Sequence, residues 1–407
     1  MERPISPPPK RRKLSRSDAK HGETDDPNLL TIYSWNVNGI QSLIQQPITS
    51  FFSPRGSNQK GHDTSLRGFL RRHGWPTFLF LQEVKISPDD LTSIRALEKA
   101  VRRDKKTGDI EPDYVAHVNL PSDKFNARGY GRKLYGVCSI IRQDFADRWV
   151  EQVRPVDWDL EGRFLVTELK AASNNQRLAL INAYMVSIRN HLKSHSKLTQ
   201  SSQVNGTDYP YKDAESGKVT GTRHDRKLEV HKLLAAECRK LETNGFAVIL
   251  AGDINIAAAP IDGFPNLRTF PPQHCVNRAD FKRRFFEDES SSRKRASEQD
   301  LDEQAPEKQS DATQQDGSST EPSGLGMVDT FRHLHPDTSG YTYYPRGRSF
   351  GESCDRVDMI LISKSLRDSL TSAGMHETPA ERGTSDHVPL YAKLRFLKGD
   401  EEVRKGQ

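Results

Sequence analysis

Four apolar runs in this chain end on polar side chains that could do chemistry together. "LLTIYSWNVNG" ends on Asn36 and Asn38, "TFLFLQEVK" on Glu83 with Lys85 beyond it, "LINAY" on Asn182 and Tyr184, and "VILAGDIN" on Asp253 and Asn255. A carboxylate at the tip of a buried segment costs desolvation unless something there uses the charge. Strand alternation puts residues two apart on the same side, so each run is expected to deliver a pair of polar groups to one sheet edge. Two later segments add to the set: "CDRVDMILIS", with Arg356 and Asp358, and "GTSDHVPLYAKL", where Asp386 and His387 directly precede another apolar run. Together they offer carboxylates for a hard cation, His and Asn for a phosphate, and a carboxylate to hold the His. Metal-assisted hydrolysis of a phosphodiester needs that inventory: a positioned water, a cation for developing charge and a donor to the non-bridging oxygens.

Singly, the segments have plainer readings. "GDIN" can be an Asp-x-Asn turn closing a strand, and it fails as a calcium loop because Ala257 and Ala258 stand where a further ligand and the turn glycine belong. "SDH" can be an ordinary cap and "QEVK" a solvated strand end. "RGYGRKLYG" does not have the spacing of a phosphate-cradling glycine loop. The specific signal is the ordered set.

Eight short runs rich in β-branched, aromatic or leucine residues are predicted to be the strands that position these groups: 29–36, 77–83, 136–142, 163–169, 177–184, 246–255, 356–363 and 390–396. Between them lie helical patterns. The clearest is "RKLEVHKLLAAECRKLETNG", where Leu228, Leu234, Cys238 and Leu241 are expected to form one apolar face and Gly245 to stop the helix. Strands and helices mixed in this way indicate an α/β or α+β layered domain.

The chain has 407 residues, 34% hydrophobic and 29% charged, enough for one large core or two modest ones. No run approaches the ~20 apolar residues of a membrane span, and the N-terminus lacks the apolar stretch of a secretory signal. Cys138, Cys238, Cys275 and Cys354 lie far apart with no C-x-x-C pair, which argues against a zinc site or a disulfide framework and fits a reduced compartment. The formal charge of +6 favours a polyanionic partner. Part of it sits in "PPPKRRKLSR", within a tail over residues 1–29, and reads as a nuclear import signal rather than a merely solvated end. A catalytic domain is expected over 30–397, followed by a tail at 398–407. It carries a polar insertion at 191–222 and a second at 287–323 that has almost no large apolar side chains and is predicted to be disordered.

"SWNVNGI", "FLQEVK", "EGRFLVTEL", "LINAY", "GDINIA", "MVDTFRHLHP", "YTYY", "RVDMILIS" and "TSDHVPL" occur in an order that resembles the exonuclease III type apurinic/apyrimidinic endonucleases, within the endonuclease/exonuclease/phosphatase superfamily. The resemblance runs from about Thr31 to Phe396, and "NVNGI", "QEVK" and "EGR" are closer to its DNA-repair branch than to its deadenylases, inositol phosphatases or sphingomyelinases. It implies a DNase I-like fold, a four-layered α/β sandwich of two packed mixed β-sheets flanked by helices. It also implies a Mg2+-dependent site, with Mn2+ able to replace Mg2+. Carried over residue by residue, Glu83 is the principal metal ligand with Asn38 and Asp386 nearby, in a wider metal set that includes Asp253, Asn255 and His387. The catalytic set is Tyr184 on the phosphate, Asp253 as base, Asn255 on the water or phosphate, and His387 held by Asp358. Asn36 would bond the site's carboxylates, the phosphate or the nucleophilic water, and Lys85 tunes the Asn38 and Glu83 side.

The implied activity is cleavage of DNA 5′ to abasic sites, with 3′ to 5′ exonuclease or 3′ end-processing activity, in a nuclear, monomeric, membrane-free repair enzyme acting on double-stranded DNA. A related DNA 3′-phosphodiesterase or general deoxyribonuclease is the alternative; a clamp- or DNA-binding scaffold without chemistry is disfavoured by the retained Glu83, Asp253, Asp358 and His387. Two departures bear on the choice. Tyr184 is followed by Met185, Val186 and Ser187 where the family continues Val-Pro-Asn, and Asp355 stands where several relatives carry an aromatic that walls the pocket for the baseless sugar. Finally, Gln45, Ile48, Phe51 and Phe52 in "QQPITSFF" fit the pattern of sliding-clamp-binding peptides, and Ile48, Phe51 and Phe52 equally fit the spacing of a buried helical face. Pro47 and the Ser-Pro-Arg-Gly after Phe52 set breakers on both sides of that turn, and both readings stay open.

Overall fold

The computed structural model describes residues 28–45, 63–103, 111–127, 135–171, 177–187, 210–288 and 323–396. The basic cluster Lys10–Arg16, most of the insertion at 287–323, and Ile48, Phe51 and Phe52 lie outside the described residues. Gln45 is described and closes the short helix Gln41–Ile44.

Two six-stranded sheets carry the fold. The first runs β15 (Leu370–Met375), β16 (Leu390–Arg395), β1 (Leu29–Asn36), β2 (Phe78–Gln82), β4 (Val137–Arg142), β3 (Tyr114–Asn119). The second runs β12 (Val328–Asp329), β14 (Asp358–Ile362), β10 (Phe246–Asp253), β7 (Arg177–Tyr184), β6 (Phe164–Leu169), β5 (Val150–Pro155). Two ribbons complete the strands, β8 (Pro210–Lys212) with β9 (Val219–Thr222), and β11 (Gly263–Phe264) with β13 (Cys354–Asp355). Both sheets are mixed: β1 is parallel to β2 and antiparallel to β16, and β10 is parallel to β7 and antiparallel to β14.

Alternation sorts the side chains into layers. Leu30, Ile32, Phe78, Phe80, Leu178, Leu180, Ile249 and Ile360 share one cluster drawn from both sheets, the seam between them. The opposite faces bury Trp35, Leu79 and Leu81 against the helices Leu66–Arg72 and Leu91–Val101, and Val248, Leu250 and Leu361 against Arg223–Thr243 and Gln273–Phe285. Helices, sheet, sheet and helices make the four layers, as the resemblance implied. No helix among the described residues is long and apolar enough to cross a membrane.

One helical expectation needs correction. Gly245, at φ 81°, ends the helix Arg223–Thr243 as expected, but Leu228 is only half-buried, and the buried face is Lys227, Val230, Leu234, Cys238 and Leu241. Part of the polar stretch at 191–222 is structured: β8 and β9 pair, and Thr222 caps the helix with a reciprocal bond to Asp225.

Asn182 also differs from expectation. It does not reach the sheet edge but lies wholly buried in the seam, where its Oδ1 accepts from Gln82 Nε2 at 2.8 Å and its Nδ2 donates to the Cys138 carbonyl at 3.0 Å. Gln82 also donates to Ser34 Oγ at 3.0 Å, so one amide pair ties the sheets together through their apolar interior.

Candidate active site

The site forms where β1, β2, β7 and β10 end and β14 begins, on one side of the double sheet. Simple alternation does not place its groups. Asn38, Glu83, Lys85 and Asn255 all have left-handed backbone, with φ of 51°, 52°, 54° and 55°, so the chain turns immediately beyond the strand ends. Such conformations are unfavourable for residues other than glycine and cluster at functional sites. Side chains close two of the turns: Asn36 Oδ1 accepts from Asn38 N, and Asp253 Oδ1 from Asn255 N, each at 3.0 Å. The turn reading of "GDIN" and its chemical reading are therefore realised in the same residue.

Asn36 joins the two sheets at this end. Its buried Nδ2 donates to Glu83 Oε1 at 3.0 Å and to Asp253 Oδ2 at 2.8 Å. Glu83 Oε1 also accepts from the Tyr184 hydroxyl at 2.7 Å, and its Oε2 lies 2.9 Å from Lys85 Nζ. Burial, with Glu83 adding to it, pushes the Tyr184 pKa well up, so the phenol remains a donor. Lys85 also donates to Asn38 Oδ1, and Asn38 Nδ2 donates to Asp386 Oδ1 at 2.9 Å. Here Tyr184 binds Glu83, the expected metal ligand, and Asn255 Nδ2 binds the Met185 carbonyl at 3.0 Å.

A second cluster adjoins the first. His387 Nδ1 meets Asp358 Oδ2 at 2.7 Å, and its Nε2 lies 3.9 Å from Asp253 Oδ2, with all three side chains buried. Burial opposes the imidazolium, but Asp358 and Asp253 outweigh it and raise the His387 pKa to about 9. Trp35 and Ser385 hold the loop: Trp35 Nε1 donates to the His387 carbonyl at 3.0 Å, and Ser385 Oγ donates to the Asn36 carbonyl at 2.5 Å. Sequence reasoning gave neither residue a role, although both sit within motif segments.

The donor chemistry fits a hard cation on the Glu83 side. The Lys85 ammonium bridges Glu83 Oε2 and Asn38 Oδ1, so a positive charge already sits between two of the oxygens expected to hold the metal. Asp253, Asp358 and His387 are also close enough to hold an ion, with ligand atoms within 4.8 Å of one another. A protonated imidazole has no lone pair to give, so that trio is better suited to proton and charge handling.

Behind Tyr184 lies a network the sequence reading did not assign. Arg163, wholly buried, donates to Glu161 Oε2 from Nε at 2.9 Å and from Nη2 at 2.8 Å, and to the Tyr184 carbonyl at 3.2 Å. Its guanidinium stands 3.9 Å from the Tyr135 ring centroid and 5.0 Å from that of Tyr184. Tyr211 of the β8–β9 ribbon donates to Glu161 Oε1 at 2.9 Å, tying the ribbon to the network.

On the Asn255 side a cleft of about 280 Å³ opens, lined among others by Ser187, Lys227, Arg268, Phe270, Asn277 and Asp355. Lys227 is wholly buried with Nζ 2.9 Å from the Asn255 carbonyl, and burial brings its pKa down to about 7. Asp355 accepts from Arg268 Nη2 at 2.7 Å, so an ion pair stands at the position where the family resemblance implied an aromatic wall in several relatives. Asn277 is 1% exposed and both its amide atoms are without a partner among the described residues, an arrangement that costs about 1–3 kcal/mol per unmet group.

A double β-sheet with a carboxylate, amide and imidazole cluster at one end defines a phosphoesterase-type architecture. The chain belongs to the Endonuclease/Exonuclease/phosphatase family, whose sequence profile matches residues 33–387. Among solved structures it is similar to an AP endonuclease from Leishmania major (17% identity, 91% of this chain and 89% of that one, TM-score 0.56). It is also similar to the catalytic domain of Xenopus laevis APE2 (17%, 90% and 91%, TM-score 0.51) and to an AP endonuclease from Archaeoglobus fulgidus (18%, 89% and 98%, TM-score 0.50). A search among curated protein sequences returned no match.

Proposed function

We propose that this chain is a Mg2+-dependent DNA phosphodiesterase that cuts the backbone 5′ to abasic sites and trims or clears 3′ ends. The observation that carries the reading is the continuous bonded path from Lys85 and Glu83 through Asn36 to Asp253, beside His387 and Asp358. In it Asp253 takes the proton of the attacking water. The His387 imidazolium presents Nε2–H to a non-bridging phosphoryl oxygen, with Asp358 fixing the ring. Asn36 and Tyr184 orient Glu83, which with Asn38 and Asp386 would hold the metal. When bound, Mg2+ supplies positive charge for the phosphate. The fold shared with AP endonucleases and the excess of basic residues support DNA as the substrate.

The test is a panel of duplexes carrying an abasic analogue, a recessed 3′ end or a blocked 3′ end. Cleavage should vanish in excess EDTA and return with Mg2+ or Mn2+. Metal-independent cleavage, or none on any of the duplexes, would sink the reading. A nuclear location belongs to the same proposal: deleting Lys10–Arg16 should move a fluorescently tagged protein to the cytoplasm and leave cleavage of short duplexes intact. An unchanged nuclear signal would show that "KRRKLSR" is not the import element.

A further inference from the structure

We propose that Glu381 is a positioning residue: held by Arg72 and His73, it fixes the loop that carries Asp386 and His387 and so sets where those two side chains stand against Asn38 and Asp253. The inference rests on the reading of the cluster as a DNA phosphodiesterase.

The loop between β15 and β16 has an exposed middle and a buried end. Thr378, Pro379, Ala380, Gly383 and Thr384 are exposed, whereas Ser385, Asp386 and His387 are buried. A segment with so little apolar burial in its middle is placed by its polar ties. At its start His376 Nε2 meets the Tyr33 hydroxyl at 3.1 Å, and Glu377 accepts from the Tyr344 hydroxyl at 2.5 Å. Further along stands Glu381, in the short helix Pro379–Arg382. Its Oε2 receives two bonds from the end of the helix Leu66–Arg72: His73 Nε2 donates at 3.1 Å and Arg72 Nη2 at 3.4 Å. The side chains of His73 and Glu381 are only 6% and 15% exposed, so these charge-assisted bonds are largely shielded from water. Burial opposes the Glu381 charge, but His73 and Arg72 outweigh it and bring its pKa down to about 2. The carboxylate is therefore charged at neutral pH.

The residues after Glu381 carry its placement to the site. Gly383, at φ 54°, turns the chain; a Cβ there would meet no atom within 4 Å, so the backbone angle rather than crowding calls for glycine. Thr384 Oγ1 then lies 2.7 Å from Ser42 Oγ, Ser385 Oγ accepts from the His387 backbone N at 3.0 Å, and Asp386 Oδ1 accepts from Asn38 Nδ2 at 2.9 Å. The helix Leu66–Arg72 also reaches the far end of the loop. Its Phe69 stacks on Trp35 with ring centroids 5.3 Å apart, and Trp35 Nε1 donates to the His387 carbonyl. One helix therefore holds the loop at Glu381 directly and at His387 through Trp35. Small displacements of that loop are costly, because about an ångström of misplacement from a remote change can lower a rate by about 10².

The experiment reads turnover and the His387 ring separately. Turnover is measured with Mg2+ on whichever duplex of the panel the unaltered protein cuts fastest. The ring is read by NMR on the full chain in excess EDTA without DNA, from the low-field proton that His387 Nδ1 donates to Asp358, identified by its absence in His387→Ala. Glu381→Ala should lower kcat about tenfold with KM unchanged, and that resonance should shift or broaden. Glu381→Gln should restore most of both, because one amide oxygen can accept the two bonds that Oε2 accepts. Parent turnover and a parent resonance in Glu381→Ala overturn the proposal, as does Glu381→Gln no faster than Glu381→Ala. So does a loss of turnover that only follows the folded fraction, with the resonance of the folded protein unchanged. Should Glu381→Ala fail to fold, Arg72→Ala removes one of the two donors from outside the loop and decides by the same two readings. If the unaltered protein cuts no duplex, the phosphodiesterase reading falls and takes the positioning role with it. Cleavage by the unaltered protein with equal cleavage by Glu381→Ala overturns the positioning role alone.

Discussion

Asp253→Asn and His387→Ala are each expected to lower turnover on DNA by about 10² or more, the scale for removing a general base or a group that stabilises charge on phosphoryl oxygens. Asp253 is wholly buried and already oriented by two partners, the Asn36 amide on Oδ2 and the Asn255 backbone on Oδ1. Replacing it with Asn keeps the shape and removes the basic oxygen. In His387→Ala the imidazolium is lost and Asp358 loses the ring that its Oδ2 holds. Both changes act on the chemical step, so affinity for uncleaved DNA in EDTA should shift only a few-fold. Near-normal turnover of Asp253→Asn on every DNA duplex would remove the mechanism.

The largest stability effect is expected from Glu161→Ala. Glu161 is buried, and although burial opposes its charge, Arg163 outweighs that and holds its carboxyl below the usual range. Removing it leaves the guanidinium of Arg163, which has no solvent exposure, without its carboxylate. Breaking one side of a buried pair costs about 3–5 kcal/mol, and the melting temperature should fall by about 5–10 °C. Arg163 also donates to the Tyr184 carbonyl and lies over its ring, so the residual folded protein should turn over more slowly as well. A melting temperature within a degree of the parent would show that Arg163 has other compensation.

All eight strands expected from the sequence are present, and each is interior to its sheet: β1, β2, β4 and β16 in one, β6, β7, β10 and β14 in the other. The four edge strands, β3, β5, β12 and β15, were not foreseen. Interior strands packed on both faces read as unbroken apolar runs, such as FLFLQ, every residue of which is buried. An edge strand such as VEQVRP is largely exposed or half-exposed and has no such run to detect. The same distinction governs the site. Asp253, Glu83 and His387 could be picked out because they interrupt or precede apolar runs. The left-handed turns at Glu83 and Lys85 could not, whereas Asn38, followed by Gly39, and Asn255, in the Asp-x-Asn turn of "GDIN", carry local turn signals. Lys227 was readable after all. It sits three and seven residues before Val230 and Leu234, on the helical period of the buried face, but a lysine there looks like an error until its ammonium is seen to cap the Asn255 carbonyl.

The Gln82–Asn182 pair acts as an index mark between the sheets. Apolar attraction is non-directional and does not by itself select one offset, whereas two amides hydrogen-bond at one offset only. Asn36, Glu83 and their neighbours arrive from one sheet, and Asp253, Asp358 and Tyr184 from the other. The catalytic spacing is therefore a property of how the two layers are clocked against each other. A pair of leucines at 82 and 182 would keep the layers glued yet let that clocking drift, trading a single working alignment for a family of nearly equivalent ones.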